Sequence, residues 1–577
     1  MSTTVSLQPS KRELWGHPVG LYILFFTEMW ERFSYYGMRA LLTLYLVQKT
    51  TADNPGLGWL DSQSIMLYGW YTMLVYVMSI PGGMLADKVF GQKKAVLYGA
   101  LILVAGHGIL AFDQMWAFYT GLALIILGVG LLKPNISTMV GGLYKEGDIR
   151  RDKGFSIFYI GINLGSLLAT FIVGYVGEEI GWHYGFGLAG IAMLFGLAVY
   201  LYGQKYLVHV GNKPTEQEKK DDVSLVRLFS NLSKSPLQLG VVVLICAYAI
   251  YAGFTYDGID NWGYTALYIF IALVAGVLMM IYKNLNTQIL KDRFLVLLLS
   301  FLIVIVFWGA FEQAGGLMSI YTKQNTDRMT SLYNINIFFY IVIGIFALKG
   351  VYQLVKGKKS YTYWMAGAAL AAILFFVLKK YLFVTNPFEI PATWFQSLNA
   401  GFIIIFATLV AGYWAKRKLK GKEASSLFKM AIGTMIMGLG FVFMIFAAKE
   451  YNANGSSAMY WLVFAYLFHT IGELCSSPVA LSFITKLAPV KYASLMMGVY
   501  FAATGLGNKV AGILGENASE YGEYAVFSGI TIFTVLFGIL VLALLKPLKR
   551  LTHGAEDNER EIKEQENYEL GDPDINK

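Results

Sequence analysis

Cysteine is almost missing from this chain: two occur in 577 residues, Cys246 and Cys475. Both lie inside apolar runs, which argues against a disulfide framework or a thiolate metal site. Histidine is nearly as scarce, at six. His107, His183 and His469 are isolated and read as structural side chains rather than ligands, so no metal and no organic cofactor is expected. Charged residues make up 14%, against about 25% in soluble domains. Strict apolar–polar alternation is lacking too, which argues against a transmembrane β-barrel. No strand precedes the Gly-x-Gly of "GVGLLKP", so that stretch is not a phosphate loop. Neither a catalytic dyad nor an added soluble signalling domain is evident, and this makes a membrane sensor or an intramembrane enzyme the remote alternatives.

What the chain has instead is apolar length. Hydrophobic residues reach 56% and glycines number 60, with a mean hydropathy of +0.53. Glycine is better tolerated in packed membrane helices than in water. The class is an all-α, multi-pass membrane protein whose solvent is a lipid bilayer. The net charge of +9 does not indicate nucleic acid, because it is concentrated in short loops.

Runs long enough to span fall near 20–47, 63–85, 95–113, 115–142, 154–177, 182–203, 237–256, 262–283, 294–314, 334–355, 361–384, 395–415, 425–448, 458–485, 493–516 and 521–546. That is about 16 membrane helices. The first 17 residues are polar without a cleavable signal pattern, so the first run is expected to be retained. Lysines and arginines follow the second and fourth runs, and "AKRKLKGK" and "KGKK" are basic, whereas "GEEI" and "TYDGID" are neutral or acidic. The positive-inside rule then puts the N- and C-termini in the cytoplasm. Lys379 and Lys380 are a mild exception. A weak echo between "GGMLADKVFGQKK" and "AGYWAKRKLKGK" suggests two six-helix halves, a transporter architecture. The organisation expected is a cytoplasmic N-terminus (1–17), a six-helix bundle (18–203), a linker with an extra helix pair (204–293), a second six-helix bundle (294–546) with an inserted hairpin near 334–384, and an acidic cytoplasmic tail (547–577).

The first run contains "TEMWERFSYYGMRA". At about 100° per residue, Glu28, Glu31, Arg32, Tyr35, Tyr36 and Arg39 share one face, within an arc of roughly 140°. Met29, Trp30, Phe33 and Met38 lie opposite. Each intramembrane charge costs about 2.5–3.5 kcal/mol on the lenient insertion scale. The stripe must therefore face a cavity or other helices; the plain alternative is a buried charge cluster that only fixes packing. Lys133, Asn163, Glu312 and Glu473 add polar groups to apolar runs in both halves. Together they outline a polar cavity. Glu side chains whose cationic partners change with conformation would gain and lose protons, which can tie proton binding to alternating access. Fixed charges of both signs suit a zwitterion.

These residues also carry a resemblance. "EMWERFSYY" resembles the E-x-x-E-R-F-x-Y-Y signature of the proton-dependent oligopeptide transporters, within the major facilitator superfamily. "GGMLADKVFGQKK", "GDIRRDKGFSIFYIGINLGSL", "GLLKPNISTMVGGLY", "FWGAFEQAG", "WFQSLNA" and "GELCSSPVALSFITKLAP" resemble further family segments in order. The resemblance implies a proton-coupled symporter that imports di- and tripeptides across the plasma membrane, the inner membrane of a bacterium, by alternating access. It implies no enzymatic chemistry and no cofactor beyond the proton. It assigns proton coupling to Glu28, Glu31, Arg32 and Lys133, and to Glu312 partnered by Arg39. It gives the peptide carboxylate to Arg32, Lys133 and Tyr36, and the amino end to Asn163, Asn399 and Glu473. Tyr35, Tyr76, Trp308, Tyr500 and Thr504 would line side-chain pockets, with Glu312 beside them. Lys133 and Glu473 would form a gating salt bridge, and Asp87 with Lys88 would stabilise a closed cytoplasmic face. Two departures stand out. Ala400 replaces the family's proline after Asn399, which suggests a straighter helix. Tyr500 stands where tryptophan is frequent, which leaves pocket size open. The extra pair near 237–283 resembles that of bacterial members, and the 334–384 hairpin has no counterpart. A same-fold transporter of another small zwitterionic or anionic solute, such as an amino-acid derivative or nitrate, is the alternative. Oligomeric state is left open.

Overall fold

The computed structural model describes residues 12–555 except 146–147, 149, 214–234, 256–260, 358–360, 382–386, 421–423 and 490–491. The acidic tail, most of the charged linker, and parts of "TYDGID", "KGKK" and "AKRKLKGK" lie outside the described residues.

Each of the sixteen apolar runs coincides with a helix. The first half comprises α1 (Val19–Val47), α2 (Asp61–Val77, continued by Ser79–Leu85), α3 (Gln92–Leu110), α4 (Met115–Gly142), α5 (Arg151–Tyr175) and α6 (Trp182–Gly203). The extra pair is α7 (Pro236–Thr255) and α8 (Asn261–Lys283). The second half begins with α9 (Gln288–Phe311), which breaks at Glu312–Ala314 and resumes as α10 (Leu317–Asn325). The hairpin is α11 (Leu332–Val355) and α12 (Tyr361–Tyr381). Then follow α13 (Ser397–Leu419), α14 (Ser426–Asn454), α15 (Tyr460–Leu487), α16 (Ala493–Glu516) and α17 (Glu523–Ala543). Among the described residues, twelve helical segments are long and apolar enough to cross a membrane. The charged α1 falls outside that set on composition, for the reason its sequence stood out. The expected run 294–314 was too short. The helical path covers Gln288–Asn325, because the polar end "KQN" still completes α10.

One apolar core joins α1–α6, from Leu21 to Val210, and takes in Ala392 from the second half. The second half has two cores, one around Phe294, Leu297, Phe483 and Met496 and one around Met318, Phe441 and Phe527. Helix α1 packs on α5 and α6, so Met29 and Phe33, opposite the charged stripe, are buried as well. The halves meet mainly where α2 crosses α16. There Gly69 faces Gly512, and a Cβ on Gly69 would lie 2.9 Å from the Gly512 Cα. Glycine lets the two backbones touch. Helix α13 runs unbroken through Asn399 and Ala400.

The hairpin stands apart. Its two helices pack chiefly on each other, with Phe339 stacked on Phe375 at 4.8 Å. Its base is pinned by a two-residue antiparallel ladder, Met329 opposite Glu389 and Thr330 opposite Phe388. Its ends are therefore already adjacent. Replacing 332–386 by a two-residue turn is expected to leave transport by the remaining helices within about twofold. Uptake assays on the shortened chain check this, and loss of uptake in a monodisperse, folded protein would show that the hairpin takes part.

Candidate functional site

The charged stripe of α1 folds into a compact ion cluster. Arg32 Nε lies 2.9 Å from Glu28 Oε1 and 2.5 Å from Glu31 Oε2. All three side chains are essentially inaccessible to solvent. The contacts are close, but the N–H directions miss the oxygens. Both Glu31 oxygens, Glu28 Oε2, and Arg32 Nε and Nη2 have no hydrogen-bond partner among the protein groups. Buried charges need close partners, and here one guanidinium contacts both carboxylates. The Arg32 guanidinium lies 5.5 Å from the Tyr35 ring and 5.9 Å from the Tyr36 ring. Arg39 approaches Tyr36 at 5.0 Å, placing that ring between two cations.

A second cluster forms where the halves meet. Glu312, at the C-terminal cap of α9, accepts Arg39 Nη1 at 3.1 and 3.3 Å and the Tyr68 hydroxyl at 2.7 Å. Both donors come from the first half. Glu312 is thus a fully answered carboxylate, unlike Glu31. The break after it is written in the sequence as Gly315-Gly316, and Thr43 donates to the Gly315 carbonyl at 3.0 Å.

A third cluster belongs to the second half. Asn399 Nδ2 donates to Glu473 Oε2 at 2.9 Å and lies 3.1 Å from Thr470 Oγ1. Tyr76 lies near enough to Arg32, Arg39, Glu312 and Glu473 to feel their charges. Tyr500 lies within reach of Tyr76 and Glu473, and Thr504 donates to its carbonyl at 3.1 Å. Trp308 packs edge-on against Phe307 and Phe311 at 5.6 and 5.2 Å.

Some expected pairings do not form. Lys133 of α4 rests its ammonium over the Tyr76 ring at 3.7 Å. It lies within electrostatic reach of Arg32, Glu31 and Glu28, yet no ion pair joins it to Glu473 among the described residues. Glu473 has taken the Asn399 amide instead. Asn163 donates its amide to the Tyr159 carbonyl one turn back, at 2.9 Å. Asp87 and Lys88 sit in the short wide turn Ala86–Phe90 that follows α2. The sequence reading missed Tyr68 and Tyr71. Both are buried, and the Tyr71 hydroxyl has no protein partner. Their spacing with Tyr76 on α2 was the available signal.

Residues 93–348 and 381–525 match the POT family, so residues 349–380, most of the hairpin, fall outside the match. The chain is similar to the uncharacterized transporter YclF of Bacillus subtilis (strain 168), with 35% identity over 94% of this chain and 97% of that protein. It is similar to the peptide transporter YePEPT of Yersinia enterocolitica, with 32% identity over 95% and 98%, and to a di-/tripeptide transporter of Lactococcus lactis subsp. cremoris, with 32% over 95% and 99%. Among solved structures it resembles a peptide transporter POT in complex with sulfate, with TM-score 0.73 and 32% identity over 94% and 97%. It also resembles a POT family transporter in complex with 5-aminolevulinic acid, with TM-score 0.71 and 28% identity over 94% and 98%.

Proposed function

This chain belongs to the POT family, and on that premise we propose that it imports di- and tripeptides together with protons by alternating access. It is a transporter, not an enzyme, with the two-bundle fold of the major facilitator superfamily. The membrane we assign is the bacterial plasma membrane, with both termini cytoplasmic by the positive-inside rule.

That orientation gives the conformation a meaning. Hydrogen bonds between the halves cluster toward the end where α1 finishes and α2 begins, which is the outer end. They include Arg39–Glu312 and Tyr68–Glu312, Thr43–Gly315, Gln324–Asp61 and Trp394–Phe171. At that end the halves are hydrogen-bonded shut, and the charged groups of the site are buried between them.

The observation that carries the mechanism is the contrast between two carboxylates. Glu312 is met by Arg39 and Tyr68 across the seam, while Glu31 lies buried within its own half against Arg32. A proton from outside neutralises Glu312 and frees Arg39, and the outer end opens. A peptide enters with its carboxylate toward Arg32, Lys133 and Tyr36 and its ammonium toward Glu473, Asn399 and Asn163. When the halves close again, Arg39 reclaims Glu312 and the proton passes to the Glu28–Glu31 pair. It then leaves to the cytoplasm with the peptide. In this scheme Tyr35, Tyr76, Trp308, Tyr500 and Thr504 shape the side-chain space, and Asp87 with Lys88 steadies the cytoplasmic end when it shuts.

Proteoliposomes given an inward proton gradient are expected to accumulate labelled dialanine. Uptake that ignores the gradient would overturn the coupling, and uptake of small amino acids or nitrate in place of dialanine would favour the other solute class.

A further inference from the structure

Glu178 lies in the short wide turn Val176–Ile180 that ends α5. Its side chain is fully buried. Each of its oxygens accepts two hydrogen bonds, and all four donors belong to the other half. Thr393 donates its N–H and its hydroxyl to Oε1, both at 2.8 Å. Ala392 N–H donates to Oε2 at 3.2 Å, and Lys323 Nζ donates to the same oxygen at 3.1 Å. Ala392 and Thr393 open the turn that leads into α13, and Lys323 ends α10. One carboxylate of the first half therefore closes on two separate elements of the second.

The fold supports this contact closely. A Cβ on Gly174 would lie 2.2 Å from Thr393 Oγ1, so only glycine lets α5 approach that far. Asn54 donates to the Gly177 and Glu178 carbonyls at 2.8 and 3.1 Å, and Trp182 Nε1 bonds the Asn54 carbonyl at 3.2 Å. The turn that aims Glu178 is thus braced from behind. Ala392 is counted with the apolar core of the first half, although its chain neighbours belong to the second.

We propose that Glu178 is an outer latch, a positioning residue that sets how often the outer end opens. It acts separately from the Arg39–Tyr68–Glu312 contact. The two differ in kind. Glu312 is held by the side chains of Arg39 and Tyr68, which can turn away. Glu178 faces backbone N–H groups that cannot withdraw, so the latch yields only when α5 separates from the 392–396 turn. The three bonds from Ala392 and Thr393 break together when that turn departs, because their donors sit on adjacent residues; the Lys323 ammonium, on a flexible side chain, adds a fourth from another element. The latch rests on the alternating-access reading above, and the naming of this end as outer on the positive-inside rule.

The test uses full-length protein in liposomes with Cys246 and Cys475 replaced by serine. Spin labels at Tyr184→Cys and Tyr333→Cys report the latch end, and labels at Val89→Cys and Leu419→Cys report the opposite end. Glu178→Gln keeps the shape but turns one acceptor into a donor facing donors. The long-distance, open population at the latch end is expected to rise at least severalfold, while the opposite pair shortens. Lys323→Met removes one donor of four and is expected to shift the population less; Thr393→Val, which loses only the hydroxyl, should do likewise. Broadening of both distributions would mark unfolding, and Glu178→Asp, which keeps the charge but cannot reach both elements, then takes its place. Unchanged distances at the latch end in a folded Glu178 variant, or a Lys323→Met shift as large as that of Glu178→Gln, would overturn the latch. Dialanine uptake by the same labelled protein with Glu178 intact tests the transport reading independently.

Discussion

Glu31→Gln is expected to abolish gradient-driven accumulation of dialanine while leaving exchange of labelled for unlabelled peptide. The amide has the shape of a protonated carboxyl and no charge to gain or lose. Glu31 is wholly buried, and its contact with Arg32 is an ion pair at 2.5 Å without an aligned hydrogen bond. Little geometry is therefore lost by the change, and the binding of peptide survives. What disappears is the acceptor that receives the proton once Arg39 has reclaimed Glu312. The driving force at stake is about 2.3 kcal/mol per charge per 100 mV plus about 1.4 kcal/mol per pH unit. One proton per peptide would then sustain roughly a 500-fold concentration ratio under 100 mV and one pH unit. In the variant the ratio is expected to fall to about 1. Accumulation equal to that of the unsubstituted protein would remove Glu31 from the proton path. Glu312→Gln offers a contrast, because it also weakens the seam held by Arg39 and Tyr68, and so should disturb exchange as well as accumulation.

The helices were legible because a membrane span is a local, length-based signal: about 20 apolar residues suffice, whatever the rest of the chain does. The sixteen runs became helices for that reason, even in the hairpin, whose surroundings the sequence could not suggest. The charged face of α1 was legible from helical spacing alone. The pairing of Arg39 with Glu312 joins residues 273 apart in sequence; only the resemblance offered it. Tyr68 was missed because a tyrosine in an apolar helix looks like packing until its hydroxyl is seen on a carboxylate. Glu178 was not singled out. "GEEI" was read only as a neutral or acidic loop, yet its first glutamate is buried against the 392–396 turn, over two hundred residues away. Lys133 and Glu473 show a different limit. A gating pair exists in one conformation and not another, and sequence does not say which conformation is at hand.

Arg32→Lys is expected to cut dialanine uptake roughly 10–100-fold, mainly through a raised KM, the size expected when one or two charge-assisted hydrogen bonds are lost. The reason is geometric. Arg32 places Nε between Glu28 and Glu31 at 2.9 and 2.5 Å and leaves Nη2 without a protein partner. One planar group can therefore steady the carboxylate pair and still offer a free edge to the peptide carboxylate. Its guanidinium carbon lies 5.5 and 5.9 Å from the Tyr35 and Tyr36 rings, which confine it. An ammonium is a point charge with no such plane, so lysine can serve the pair or the peptide but not both. The net charge of the site is unchanged, which separates geometry from charge balance. Comparing dialanine with its C-terminal amide makes the test sharper. The unsubstituted protein should prefer the free carboxylate strongly, and Arg32→Lys should lose most of that preference. A variant that keeps both its KM and its preference would make Arg32 a counter-ion for Glu28 and Glu31 alone, and would leave Lys133, poised over Tyr76, to hold the peptide carboxylate.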